Sequence, residues 1–87
     1  MKYNSLIIIP TYNESENIEL IINKIIDLDN SNDILVVDDN SPDGTYEIVK
    51  KIKSSNNERV FIIKRESKSG LGSAYKVGFK WALEKIG

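Results

Sequence analysis

An α/β fold, built as three strand–helix units around a parallel sheet, is predicted by three features of this sequence. Continuous apolar runs recur at residues 5–10, 34–37 and 60–63, as expected for strands covered on both faces. Apolar residues at helical spacing follow each run. Strands alternating with helices of this length imply right-handed crossovers and therefore a parallel sheet. In such sheets ligands bind beyond the carboxyl ends of the strands, so the loops after the three runs are expected to share one rim.

The elements follow in order. Ser5 opens the first strand and Pro10 is expected to end it. Asn13 can cap the next helix, with Glu16 three residues on as its capping-box partner. Ile18, Ile21, Ile22, Ile25 and Leu28 then give that helix one apolar face. A turn cluster, Asp29-Asn30-Ser31-Asn32, leads to the second strand, which ends at Asp38-Asp39. Ser41-Pro42 reads as the N-cap and first residue of the second helix, with Ile48, Val49 and Ile52 as its stripe. Residues 66–72 form a polar, glycine-bearing loop after the third strand. Ala74, Val77, Gly78, Trp81 and Ala82 share one face of the last helix. A glycine inside a helix costs about 1 kcal/mol against Ala, so Gly78 predicts a close approach to the sheet.

Composition narrows the chemistry. The 87 residues allow one domain, and a chain of this size buries only roughly 60–65% of its unfolded surface. Net charge is −1 and the twelve basic residues are scattered, which disfavours nucleic acid as a partner. There is no Cys and no His, which removes thiolate nucleophiles, disulfides, His-based catalysis and His/Cys zinc sites together. A metal would have to be a hard cation held by oxygen. The apolar stretch near the N-terminus is too short for a signal peptide or a membrane span.

Three loops carry the candidate chemistry. Pro10-Thr11-Tyr12-Asn13-Glu14 offers an aromatic ring to support a base and a carboxylate to accept from a base or ribose, or it is a turn and helix cap. Asp38-Asp39 sets two carboxylates at a strand end. Strand alternation turns them in different directions, so one should project into a site while the other braces the loop. Lys68-Ser69-Gly70-Leu71-Gly72-Ser73 can bring a cation and backbone N–H groups to a diphosphate, or it is a plain turn. It matches neither a Walker A loop nor a dinucleotide fingerprint. Trp81 reads as core. Tyr75 can lie near the site or pack on the sheet.

Taken together, Ile8-Ile9-Pro10-Thr11-Tyr12-Asn13-Glu14, Val36-Val37-Asp38-Asp39-Asn40-Ser41-Pro42-Asp43-Gly44-Thr45 and Gly70-Leu71-Gly72-Ser73-Ala74-Tyr75 with Gly78-Phe79-Lys80 are more specific than any one of them. In this order and spacing they resemble the inverting family 2 glycosyltransferases of the GT-A, Rossmann-like fold. Within that family they look most like the dolichol- or polyprenol-phosphate mannosyltransferases. The resemblance implies an enzyme that transfers a sugar, mannose first, from GDP-mannose to a polyprenyl or dolichyl phosphate; a UDP-sugar donor is the alternative. It implies a nucleotide held by residues matching Pro10, Tyr12, Glu14, Val37 and Asp39, with Lys68 near the phosphates. Asp38 and Asn13 are then the residues that structure the loops. On this division, Asp39→Ala is expected to weaken nucleotide binding with little loss of folding. No catalytic residue is assigned.

The resemblance also implies Mg²⁺ or Mn²⁺ in the full enzyme, held by an Asp-x-Asp after a fourth strand. No Asp-x-Asp in that context occurs here, so no metal ligand is assigned within residues 1–87. The whole sequence therefore reads as the N-terminal nucleotide-binding portion of a longer glycosyltransferase, with the acceptor-binding half absent. By itself it reads as inactive. In the family's sheet the fourth strand lies against the first, so the first strand here is expected to be an apolar edge that invites self-association. The location read from these features is cytoplasmic, with the full enzyme at the cytoplasmic face of a membrane. A phospho-accepting signalling domain of the response-regulator type is disfavoured. Its paired acids follow the first strand and its phospho-accepting Asp the third, where this chain has Lys64-Arg65.

Overall fold

The computed structural model describes residues 5–28, 32–55, 59–66 and 71–86. Strands β1 (Ser5–Thr11), β2 (Asn32–Asp38) and β3 (Val60–Lys64) alternate with helices α1 (Ile18–Leu28), α2 (Thr45–Ser55) and α3 (Leu71–Ile86). The strands form one parallel sheet in the order β1-β2-β3. The predicted α/β architecture is the one observed.

The register places like-facing residues in rows. Ile9, Val36 and Ile62 are aligned across the sheet, as are Ile8, Leu35 and Phe61. The first row faces α1 and α2, where Ile18, Ile22, Val49 and Ile52 complete one apolar cluster with Ile34 and Val60. The second row faces α3, where Ala74, Val77 and Trp81 pack with Val37 and Ile63. β2 is thus covered on both sides, and its residues Ile34 to Val37 have no exposure at all. Trp81 is core, as expected, with its ring 5.0 Å from that of Phe61.

Several boundaries differ from those predicted. Pro10 does not end β1; it pairs with Val37, and the strand runs on to Thr11. Thr11 turns its carbonyl to β2, where it accepts from the Asp39 N–H. By alternation the missing N–H of Pro10 faces the other side, and β1 is an edge among the described strands, so the ladder loses nothing. The apolar face of α1 is also narrower than predicted. Leu28 is 83% exposed and Ile21 is on the margin, while Ile26 joins Ile18, Ile22 and Ile25 against the sheet.

Gly78 is buried where α3 crosses β1. A Cβ there would stand 2.9 Å from both Cδ1 and Cγ2 of Ile8. Cγ2 belongs to a β-branched side chain with little freedom to turn away. Gly78→Ala should therefore lower stability by about 1–2 kcal/mol, because overpacking outweighs the helix-propensity gain. Urea denaturation checks this; stability at or above that of the unmodified chain would refute the close packing.

Candidate functional site

The carboxyl ends of the three strands carry three loops, and side chains of the second loop hold the other two. Asp38 is the last residue of β2 and has no exposure. Its Oδ1 accepts from the Thr11 hydroxyl at 2.7 Å and from the Ser41 hydroxyl at 2.6 Å. Its Oδ2 accepts from the Ser41 N–H at 2.9 Å. Thr11 and Asp38 are register partners on one face, so the bond continues a cross-strand row.

Three successive backbone N–H groups of the first loop donate to the second. Asn13 donates to Ser41 Oγ, Glu14 to Thr45 Oγ1 and Ser15 to Asp43 Oδ2, each at 3.0 Å. Ser41 and Thr45 act alike here. Each hydroxyl donates to an Asp of its own loop and accepts from the first loop, Thr45 Oγ1 donating to Asp43 Oδ1 at 2.5 Å. Asp43 also accepts from the Thr45 N–H. The Thr45 hydroxyl above all, then Ser15 and the backbone N–H groups, draw the Asp43 carboxyl down to about 2.

This clamp accounts for both helix starts that the sequence misplaced. The predicted capping box of Asn13 and Glu16 is replaced. Asn13 takes a left-handed conformation at φ 58°, and Glu14 supplies the carbonyl on which α1 begins. The donors there are met by Asp43 and Thr45, 28 and 31 residues away. Ser41-Pro42 likewise is not the start of α2. Ser41 is engaged by Asp38 and Asn13, and the helix opens at Thr45, with Gly44 at φ 89° presenting the first carbonyl.

Asp39 faces the other way. Arg65, just after β3, grips it with a two-pronged guanidinium contact, Nε to Oδ1 and Nη2 to Oδ2, the latter at 2.7 Å. The two side chains are 10% and 8% exposed. Arg65 Nη1 also donates to Ser73 Oγ at 2.7 Å, and its main-chain N–H donates to the Asp38 carbonyl. Asn40, left-handed at φ 59°, donates from its side chain to the Glu66 carbonyl. The third loop is thereby tied to the second. Nothing in the spacing singled out Arg65, and Ser41 was read only as a helix cap. The Ser-Pro-Asp-Gly-Thr string was the available signal for Ser41, Asp43 and Thr45.

The predicted residues are therefore distributed as follows. Pro10, Tyr12, Glu14 and Asp39 lie on or beside one rim, with Tyr12 exposed and Glu14 half-buried. Val37 is wholly buried against Leu35 and Ala74, which places it in the core beneath the rim. Asp38 and Asn13 both make contacts that join loops. Lys68 lies outside the described residues. The expectation that Asp39→Ala spares folding needs revision, because it would leave the largely buried Arg65 fork without its carboxylate. Asn40, Lys64, Arg65 and Glu66 border an open cavity of about 380 Å³. Among the described residues no three acids converge as metal ligands, and no helix is long and apolar enough to cross a membrane.

This chain is similar to several known proteins. The sequence profile of the family described as Glycosyl transferase family 2 matches residues 6–86. The polyprenol monophosphomannose synthase of Mycolicibacterium smegmatis is 46% identical over 81 residues, which cover 93% of this chain and 31% of that protein. The undecaprenyl-phosphate mannosyltransferase of Micrococcus luteus is 44% identical over 80 residues, 92% of this chain and 32% of that protein. The chain thus spans about a third of the length of these curated relatives. The solved structure of the mannosyltransferase PcManGT from Pyrobaculum calidifontis, in complex with GDP-Man and Mn2+, aligns with a TM-score of 0.81 at 24% identity. That match covers 92% of this chain and 24% of the other, and it shows that the fold is shared.

The clamp makes a pH-dependent prediction. The Asp43 carboxyl is held at about 2 in the folded chain, below its ordinary 3.8. Its ionised form therefore stabilises the fold fully above pH 4, and that contribution fades as pH falls towards 2. Asp43→Ala should lower the thermal midpoint at pH 7, and the gap to the unmodified chain should narrow steadily below pH 4. A gap of equal size at pH 7 and pH 2.5 would contradict the assignment.

Proposed function

The chain belongs to glycosyl transferase family 2, and from that premise we propose that it forms the nucleotide-sugar-binding part of a mannosyltransferase. The sugar is mannose and the acceptor a polyprenyl or dolichyl phosphate, as the names of the two relatives above 40% identity favour, and the donor is GDP-mannose, the ligand of the solved mannosyltransferase complex. A phosphate oxygen of the lipid attacks the anomeric carbon as the bond from that carbon to the diphosphate breaks. The nucleoside diphosphate leaves and the sugar is inverted.

The observation that carries this reading is the clamped rim. Tyr12 and Glu14 in one loop and Asp39 in the next are brought to the same end of the sheet by the Ser41, Asp43 and Thr45 contacts. A rim held in this way before a ligand arrives lowers the ordering cost of binding. Tyr12 supports the base, Glu14 and Asp39 accept from nucleoside donors, and Pro10 and Val37 shape the floor. Lys68 is assigned to the phosphates on the resemblance alone. Asp38 and Asn13 hold the loops.

A divalent metal does not fit the described residues. Asp38 and Asp39 turn to opposite sides, and no three acids converge among the described residues. The Mg²⁺ or Mn²⁺ of the complete enzyme is therefore assigned to acids elsewhere, and no step is routed through it here. The complete enzyme works at the cytoplasmic face of a membrane, where its lipid acceptor resides.

The edge position of β1 supports a second property of the chain taken alone. A strand edge offers a template for another chain, so self-association by strand addition is expected. Sedimentation velocity at rising concentration should show dimers or larger species, and a monomer throughout would exclude it. For the main reading, isothermal titration should show saturable binding of GDP and GDP-mannose and at least about tenfold weaker binding of UDP. Preference for UDP would redirect the proposal to a UDP-sugar enzyme. Absence of all binding by the folded chain would defeat it.

A further inference from the structure

We propose that Arg65 is a positioning residue that holds the Asp39 carboxylate in the orientation in which it accepts hydrogen bonds from a nucleoside. This rests on reading the rim as a nucleotide site, and it adds a residue from the third strand end that no motif marks. Four observations carry it. The guanidinium meets both Asp39 oxygens, which fixes the plane of the carboxylate and not only its distance. The guanidinium is itself anchored, because Nη1 donates to Ser73 Oγ in the first turn of α3. Its backbone is fastened to the Asp38 carbonyl at 2.7 Å, so the prongs start from a fixed point. Arg65 itself borders an open cavity, together with Asn40, Lys64 and Glu66.

The chemistry favours positioning over simple neutralisation. A single-point cation would leave the Asp39 side chain free to rotate, whereas a two-pronged contact sets its orientation. The guanidinium also offsets a second negative charge next to Asp38, which makes two adjacent carboxylates tolerable at one strand end. Two donor sets of the nucleoside would suit the oriented carboxylate, the ribose hydroxyls and the guanine edge formed by N1–H and the exocyclic amine, of which inosine lacks the amine.

The test is a set of affinity ratios measured on the whole chain by isothermal titration. The probes are GDP, 2′,3′-dideoxy-GDP, which lacks the ribose donors, and inosine diphosphate, which lacks the exocyclic amine. The unmodified chain should bind GDP at least about tenfold better than one of the two analogues, and which one identifies the donor group. Arg65→Lys keeps the charge and loses the fork, and should reduce that ratio to about threefold or less. Loss of fold alone would weaken all three ligands equally and leave the ratio unchanged. Circular dichroism monitors folding, and Ser73→Ala, which removes only the anchor of Nη1, should lower the same ratio in a smaller step. If Arg65→Lys does not fold, the Ser73→Ala ratio decides. Unchanged ratios in the folded variants would overturn the proposal. Equal binding of all three ligands by the unmodified chain would overturn it and leave the nucleotide reading standing, whereas no binding of any would overturn both.

Discussion

A carboxylate without solvent exposure must receive its hydrogen bonds from the protein, and at Asp38 that requirement organises the whole rim. One oxygen takes the Thr11 hydroxyl, which fixes the end of β1, and both take donors from Ser41, which fixes the loop into α2. Because Ser41 gives its proton to Asp38, its oxygen is left to accept from Asn13. Asp38 thus helps to place Asn13 through Ser41. The other end of the same strand shows what happens without such donors. Asp33 is also buried, its Oδ2 has no hydrogen-bond partner in the structure, and burial pushes its carboxyl above the usual range. Two buried acids on one strand therefore differ in the donors supplied to each.

The apolar runs and helical stripes made the α/β fold legible because both are local signals of burial. Each strand lay within two residues of its predicted place, and Gly78 announced its contact with Ile8 through the cost of a glycine in a helix. The site was legible in part. The alternation of Asp38 and Asp39 followed from strand geometry alone, whereas the partners of each did not. Asn13 looked like a cap because local rules pair it with Glu16. In the fold that task passes to Asp43 and Thr45, and no local rule can anticipate a cap supplied from another loop. Arg65 was hidden for the same reason, since its bond to Asp39 spans 26 residues. Asn13 and Asn40 each stand two residues past a strand end in the left-handed conformation, a repeat visible only once both strand ends are known.

The two-sided covering of β2 explains why bracing and presenting can be done by neighbours in sequence. Ile34 and Val36 face α1 and α2, while Leu35 and Val37 face α3. Carried one step further, the same alternation turns Asp38 towards Thr11 and Ser41, and the next residue, Asp39, towards Arg65 and the start of α3. The acid under the α1 and α2 side is consumed in holding loops. The acid on the α3 side is held by a cation just after β3, and that cation borders an open cavity. A slip of one residue in the register of β2 would exchange these surroundings and drive its apolar residues to the wrong faces together. The core that fixes the register therefore also assigns each carboxylate its role.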